Sequence, residues 1–142
     1  MSLFLWKKSY ETGIEEIDHQ HRQLVGIINK LSDAMMNQRG YMTVPHILEE
    51  LVDYAQLHFT TEERIMNDAG YPALKEHQME HLKLTDCTIQ FRKVFSQEHT
   101  VKSSDVLNFL CTWLREHILV NDKEFGAFFK NLPATKTQSS SL

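Results

Sequence analysis

Residues 58–81 read HFTTEERIMNDAGYPALKEHQMEH and carry two pairs of side chains of the types that bind metals. Residues four apart on an α-helix lie one turn apart on the same face, with about 5–6 Å between their Cβ atoms. His58 therefore points in the same direction as Glu62. In the same way, His77 points in the same direction as His81.

A turn signal, Gly70-Tyr71-Pro72, separates the two pairs. Glycine is common just after a helix end and proline shortly beyond it, so one helix is predicted to end here and another to begin. The pairs lie about ten residues before and about eight residues after the turn, a mismatch of roughly 3 Å along antiparallel helices. Three imidazoles and a carboxylate are therefore predicted to meet at one level of a helical hairpin.

Four segments of the chain repeat apolar residues at alternating spacings of three and four, which is typical of helices that bury one face. The inward positions of the first two segments are Ile14, Ile17, His21, Leu24, Ile28, Leu31 and Met35, then Val44, Leu48, Leu51, Ala55, His58, Glu62, Ile65 and Ala69. Those of the last two are Leu74, His77, His81, Leu84, Thr88, Phe91 and Phe95, then Val106, Leu110, Trp113 and His117. The pattern predicts an all-α fold, an antiparallel up-and-down four-helix bundle. We expect an N-terminal arm at 1–13, the bundle at 14–132 and a disordered tail at 133–142.

Three local signals predict the ends of the first helices. Gly40 suits the C-terminal cap of the first helix. Thr43 and Pro45 suit the cap and first turn of the second. In the arm, Trp6 and Tyr10 are the expected anchors.

The spacing of inward positions breaks after His117. A step of five residues reaches Asp122 and continues through Phe125, Phe129 and Leu132, which is more apolar than the regular continuation. A single wide, π-like turn would absorb the extra residue, and such turns are often found at functional sites. It would bring Asp122, otherwise about 140° away from His117 around the helix, toward the same centre.

Every inward position with a metal-ligand side chain falls at one level of the predicted bundle. The set is His21, His58, Glu62, His77, His81, His117 and Asp122. A single inward histidine is usually a hydrogen-bonded core residue, but burying seven such groups together is costly unless a cation offsets the cost. Seven ligands exceed the four of a structural zinc site and fit two metals bridged by the carboxylates. Imidazole with carboxylate suits iron and, less specifically, manganese or zinc.

Apolar residues within about one turn of these ligands are predicted to surround, as a wall, an open coordination position of one metal, where a small ligand would bind. The alternative interpretation of each of these residues is ordinary core packing. They are Leu24, Ile28, Phe59, Trp113, Leu114, Ile118 and Phe125. His19, His46 and His99 lie off the inward positions and are expected in solvent. Glu63 is expected to point away from the site, at the surface.

The composition of the chain argues against several classes of function. The chain has 142 residues, 42% of them hydrophobic, and a net charge of −4, so no basic surface for nucleic acid or acidic membranes is expected. The absence of a long apolar run predicts no signal peptide or membrane span, and we expect a cytoplasmic protein. Cys87 and Cys111 are too few for a disulfide framework and are expected to be reduced, with a redox role left open.

The chain resembles the hemerythrin family in its bacterial single-domain form. The likeness runs from Trp6 to about Phe129 and rests on several motifs taken together. They are Gly13-Ile14, Ile17-Asp18-His19-Gln20-His21, His58-Phe59-Thr60-Thr61-Glu62-Glu63 with Met66, His77-Gln78-Met79-Glu80-His81, and Trp113-Leu114 before His117 and Asp122.

The resemblance implies two iron ions bridged by Glu62, Asp122 and an oxo or hydroxo group. It implies that His77, His81 and His117 bind one iron, that His21 and His58 bind the other, and that O2 binds at the second. The expected function is non-enzymatic, reversible O2 binding by a carrier, store or sensor whose recipient protein is unknown. The alternatives are a di-iron enzyme acting on NO, peroxide or Fe(II), and an iron- or O2-sensing interaction module.

Overall fold

The computed structural model describes residues 4–36, 40–97 and 103–133. Its helices are α1 (Glu15–Met36), α2 (Gly40–Ala69), α3 (Leu74–Gln97), α4 (Ser103–Glu116), a π-helical segment (His117–Asp122) and α5 (Lys123–Lys130). The last three form one continuous helix, because the backbone keeps helical angles at both junctions, φ −64° and ψ −43° at Glu116 and φ −68° and ψ −35° at Lys123. α1 packs against α2 and α4, and α2 packs against α3. The predicted all-α, antiparallel four-helix bundle is confirmed.

The turn between α2 and α3 has the predicted glycine stop. Gly70 has a φ of 70°, in the left-handed region that favours glycine. Its N–H donates to the Asn67 carbonyl at 3.1 Å, and the Tyr71 N–H donates to the Met66 carbonyl at 2.9 Å. This pair of bonds is the Schellman arrangement, which satisfies carbonyls at the end of a helix. It fixes where the chain reverses, and so the height at which α3 meets α2.

The first connection differs from the sequence prediction. Gly40 is the first residue of α2 and does not cap α1, which ends at Met36. α2 therefore begins before Thr43, and Pro45 lies inside the helix. Pro45 is the sixth residue of α2, where it removes the hydrogen bond to the carbonyl four residues back and its ring crowds that carbonyl. The cap signals at Thr43 and Pro45 therefore indicated too late a start for α2.

The buried apolar side chains form two clusters. The larger cluster includes Leu24, Ile28, Leu48, Phe59 and Leu110. The smaller one contains Ile17, Ile65, Met66, Ala69 and Phe125 and lies toward the turn between α2 and α3. Along each helix, the predicted ligand residues come between members of the two clusters, so a polar layer separates them.

The N-terminal arm is bound to the bundle by polar contacts. The Asp18 carboxylate accepts hydrogen bonds from the Thr12 N–H at 2.7 Å, the Thr12 hydroxyl at 2.8 Å and the Gly13 N–H at 3.1 Å. Phe4 exchanges two backbone bonds of 2.8 Å with the Asn29 amide. The expected anchor Tyr10 is buried and Trp6 is partly buried, whereas Phe4, only 2% exposed, was not anticipated.

Three further sequence predictions concern the rest of the chain. Cys111 is buried and Cys87 is exposed, and neither forms a disulfide. Within the described ranges, no helix has both the length and the apolar character needed to cross a bilayer. The predicted tail falls almost wholly on 134–142, which lies outside the described residues.

The contact between the arm and α5 requires glycine at position 126. A Cβ on Gly126 would lie 2.5 Å from the Thr12 carbonyl oxygen, whereas one on Gly26 would meet no atom within 4 Å. We predict that Gly126→Ala lowers the free energy of unfolding by about 1–3 kcal/mol through overpacking. Gly26→Ala, the matched control, should raise it by up to about 1 kcal/mol because alanine favours the helix. Urea unfolding measures both, and equal stability of the two variants would contradict the packing described.

Candidate metal centre

Glu62 lies among four imidazoles in the polar layer. Its carboxylate oxygens are 3.1 Å from Nε2 of His81, 3.2 Å from that of His58, 3.5 Å from that of His117 and 3.8 Å from that of His21. The four histidines come from all four helices of the bundle. Glu62 is fully buried, so the packing of the whole bundle determines these distances.

Asp122 occupies the corresponding position on the other side of the layer. Its oxygens are 2.6 Å from His21 Nε2, 2.8 Å from His117 Nε2 and 3.8 Å from His77 Nε2. The π-helical segment that begins at His117 ends at Asp122, as the break in spacing predicted. The wider turn rotates Asp122 onto the inner face, where a regular α-helix would not place it.

The structure therefore brings all seven sequence-predicted ligand residues together. Five of them have ligand atoms that all lie within 4.8 Å of one another, namely His21, His58, Glu62, His117 and Asp122. His77 and His81 lie at the edge of this group, each facing one of its carboxylates. All seven are 5% exposed or less.

Several ligand atoms of this cluster are buried without a hydrogen-bond partner among the described residues. They are both ring nitrogens of His21, Nε2 of His77, Oε2 of Glu62 and both carboxylate oxygens of Asp122. An unsatisfied buried polar atom costs about 1–3 kcal/mol, and more if it is charged. His21 Nε2 lies 2.6 Å from Asp122 Oδ2, yet the two atoms lack hydrogen-bond geometry, so neither satisfies the other. Buried acceptor atoms without hydrogen bonds are better suited to binding cations than to pairing with one another.

Burial keeps most of the imidazoles neutral. It lowers the pKa of His21 to about 3, and it also lowers the pKa values of His58 and His77. A neutral imidazole offers the lone pair that a metal needs. These three histidines are therefore ready to bind a cation at neutral pH.

His117 behaves differently because it lies between the two carboxylates. Burial opposes its charged form, but Asp122 and Glu62 together raise its pKa to about 10. Burial, and then the charge of Glu62, raise the pKa of Asp122 to about 7. Despite its burial, the pKa of Glu62 is held well below its ordinary value by His117 and His58. Without a cation, a proton on His117 thus partly balances the two acids.

Two residues contact the Nδ1 atoms of ligand histidines. Gln20 Oε1 lies 2.8 Å from His58 Nδ1, and Glu63 Oε2 lies 2.7 Å from His81 Nδ1. The prediction that Glu63 points away from the site is wrong, because its carboxylate contacts a ligand residue; its side chain is 27% exposed, so it also reaches the surface. Such contacts orient a metal-binding imidazole and select its tautomer.

A periodic signal for both residues was present in the sequence. Gln20 begins the spacing of four, three and four that continues through Leu24, Ile27 and Leu31, all buried. Glu63 stands between Phe59 and Met66, at spacings of four and three, and both of those are buried. Each residue lies at the edge of an inward stripe, a place where a polar side chain can reach a neighbouring helix.

None of the remaining histidines within the described residues belongs to the cluster, and most of the predicted wall residues belong to or pack against one apolar cluster. His19 and His46 are exposed, and His99 lies outside the described residues. Six predicted wall residues belong to or pack against the larger cluster, namely Leu24, Ile28, Phe59, Trp113, Leu114 and Ile118. Phe125 belongs instead to the smaller cluster, on the other side of the polar layer, where it packs near Tyr71 with ring centroids 4.9 Å apart.

Comparison with known proteins identifies the family. The model of the hemerythrin HHE cation-binding domain matches residues 12–129. The chain is 34% identical over 127 residues to a bacteriohemerythrin of Clostridium acetobutylicum, covering 87% of this chain and 98% of that protein. It is also 34% identical over 122 residues to a bacteriohemerythrin of Pseudomonas aeruginosa, covering 86% of this chain and 78% of that one.

Solved structures show the same relationship. The crystal structure of a wild-type hemerythrin superposes with a TM-score of 0.81 at 29% identity and covers 89% of this chain and 98% of the other. The range matched by the family model, residues 12–129, includes every residue of the cluster. The chain belongs to the hemerythrin HHE cation-binding domain family.

Protons and cations compete for the same atoms in this cluster, which predicts a pH dependence. In the metal-free chain His117 is already protonated at neutral pH, because its pKa is about 10, and Asp122 becomes protonated as well when the pH falls through about 7. The affinity for a cation should therefore fall. We predict that protein loaded anaerobically with Fe2+ retains the metal through gel filtration at about pH 8 and loses most of it at about pH 5.5. Iron per chain, measured by elemental analysis, checks this. Equal retention at both pH values would contradict the assignment of these residues as ligands.

Proposed function

We propose that this protein binds O2 reversibly at a di-iron centre. In this proposal Glu62 and Asp122 bridge two irons, together with an oxo or hydroxo group. His77, His81 and His117 bind one iron, while His21 and His58 bind the other. The similarity to bacteriohemerythrins over most of the chain supports the proposal.

The observation that carries the proposal is that each carboxylate lies close to members of both histidine groups. Glu62 lies within 3.8 Å of His81 and His117 from the first group and of His58 and His21 from the second. Asp122 contacts members of both groups as well. A carboxylate that binds a single cation would need to lie near only one of the two histidine groups. Two carboxylates that each reach both groups support a pair of cations.

Unequal sharing of the histidines leaves one position for a ligand. Three imidazoles on one side and two on the other give the second cation one fewer protein ligand. Two irons held by these residues would supply reversible two-electron chemistry for a molecule bound at such an open position. Among the metals that suit imidazole and carboxylate, iron fits this chemistry.

The side chains near the open position favour reversible binding of O2 over cleavage of its O–O bond. Leu24, Ile28, Leu114 and Ile118 are each 1% exposed or less, and none of them carries a titratable group. A dry apolar wall excludes water and withholds the protons that cleavage of the O–O bond requires. We therefore propose a cytoplasmic O2 carrier, store or sensor, without a dedicated catalytic acid at the wall.

The direct test is an O2 titration after anaerobic reconstitution with Fe2+. We expect a visible absorption band to appear on addition of O2 and to disappear under argon over repeated cycles. Bleaching after one cycle, or a spectrum that persists under argon, would contradict reversible binding. Sustained consumption of NO or peroxide with added reductant would instead favour an enzyme at the same site.

Variants of the ligands test the assignment itself. Asp122→Ala and His77→Ala should each abolish the O2-dependent band, because each removes a ligand of the proposed centre. His46→Ala is the matched control, since it removes an exposed histidine from α2 and should leave the spectrum unchanged. An unaltered band in either ligand variant would show that the assignment is wrong.

A further inference from the structure

We propose that Glu63 is a positioning residue for His81 that makes the two halves of the metal site electronically unequal. It holds His81 with a carboxylate, whereas Gln20 holds His58, in the other half, with a neutral amide. The inference rests on the proposed function, because it assigns the two histidines to different irons.

His81 is held on three sides. Its Nδ1 lies 2.7 Å from Glu63 Oε2, and its Nε2 lies 3.1 Å from Glu62 Oε1. The ring of Phe59 stacks on the imidazole with centroids 3.8 Å apart and planes at 6°. With Glu63 accepting the proton on Nδ1, the Nε2 lone pair faces the centre of the cluster. The ring cannot rotate without losing the stacking and the hydrogen bond together.

His58 is held by a neutral chain of hydrogen bonds. The Thr61 hydroxyl donates to the Leu57 carbonyl at 3.0 Å, and it therefore accepts from the Gln20 amide nitrogen at 3.2 Å. That contact settles the orientation of the amide, so Gln20 Oε1 is the atom 2.8 Å from His58 Nδ1. His58 is thus fixed in the same tautomer as His81, but the side chain that contacts its Nδ1 is uncharged.

The charge of Glu63 has a consequence for the metal. A hydrogen bond to a carboxylate is stronger than one to an amide and makes the imidazole a better electron donor. The cation bound by His81 is therefore stabilised in its oxidised form more than the cation bound by His58. Glu63 lowers the reduction potential of one half of the site selectively.

The position of Glu63 makes it a suitable target for substitution. It lines a surface groove of about 480 Å³ between α2 and α3, together with Gln78, Leu82 and Thr85. Its side chain is 27% exposed and belongs to neither apolar cluster, so a change there removes no member of either cluster. An amide at position 63 keeps a hydrogen-bond acceptor and removes only the charge.

The experiment compares Glu63→Gln, Glu63→Ala and the reciprocal Gln20→Glu in the full chain reconstituted with Fe2+. Glu63→Ala should release iron to a chelator about 10- to 100-fold faster, because His81 loses its support. Glu63→Gln should keep release close to the parent rate and raise the midpoint potential. Gln20→Glu should lower the potential. Glu50→Gln, also on α2, removes an exposed charge that pairs with Lys30 and is the matched control.

Thermal unfolding of the metal-free variants verifies that each one is folded. If Glu63→Gln and Glu63→Ala both match Glu50→Gln in release rate and potential, while the parent holds two irons, the role of Glu63 is wrong. The same conclusion follows if the potentials of Glu63→Gln and Gln20→Glu shift in the same direction. A parent chain that binds no iron would instead overturn the proposed function.

Discussion

The structure depends on a layer of desolvated imidazoles and carboxylates in the middle of an apolar bundle. Two clusters of aliphatic and aromatic side chains enclose this layer, and Glu62 and Asp122 are fully buried within it. Charges in such surroundings are stable only when opposite charge lies within bonding distance. A proton on His117 supplies part of that charge in the metal-free chain, and metal cations in the layer would supply the rest. The fold and the proposed metal chemistry are therefore consequences of the same arrangement.

Geometry brings the groups of this layer to one height. The glycine stop at Gly70 sets the length of the hairpin between α2 and α3. The π-helical segment changes the phase of the last helix by one residue, which turns Asp122 inward and leaves Phe125 to fill the smaller cluster. An irregular turn weakens helical hydrogen bonding locally. Its effect at this position is to bring a second carboxylate close to His117, which also lies near Glu62.

Much of this was predictable because helical periodicity reports which residues share a face. The inward stripes placed His21, His58, Glu62 and the other four ligand-type residues at one level, and the break after His117 predicted the π turn. The start of α2 was predicted less well, because the signals at Thr43 and Pro45 indicate a later first turn than the one that begins at Gly40. Gln20 and Glu63 were missed although each stands at the edge of an inward stripe. Periodicity within a single helix does not tell which residue of a neighbouring helix such an edge side chain contacts.

The central claim is that two cations occupy this layer, each shared between the carboxylates of Glu62 and Asp122. Anomalous diffraction at the iron absorption edge, from crystals of the reconstituted protein, tests it most directly. The account predicts two separate iron peaks, both within bonding distance of the two carboxylates, with His81 beside one peak and His58 beside the other. A single peak, or iron bound only outside the layer, would contradict it.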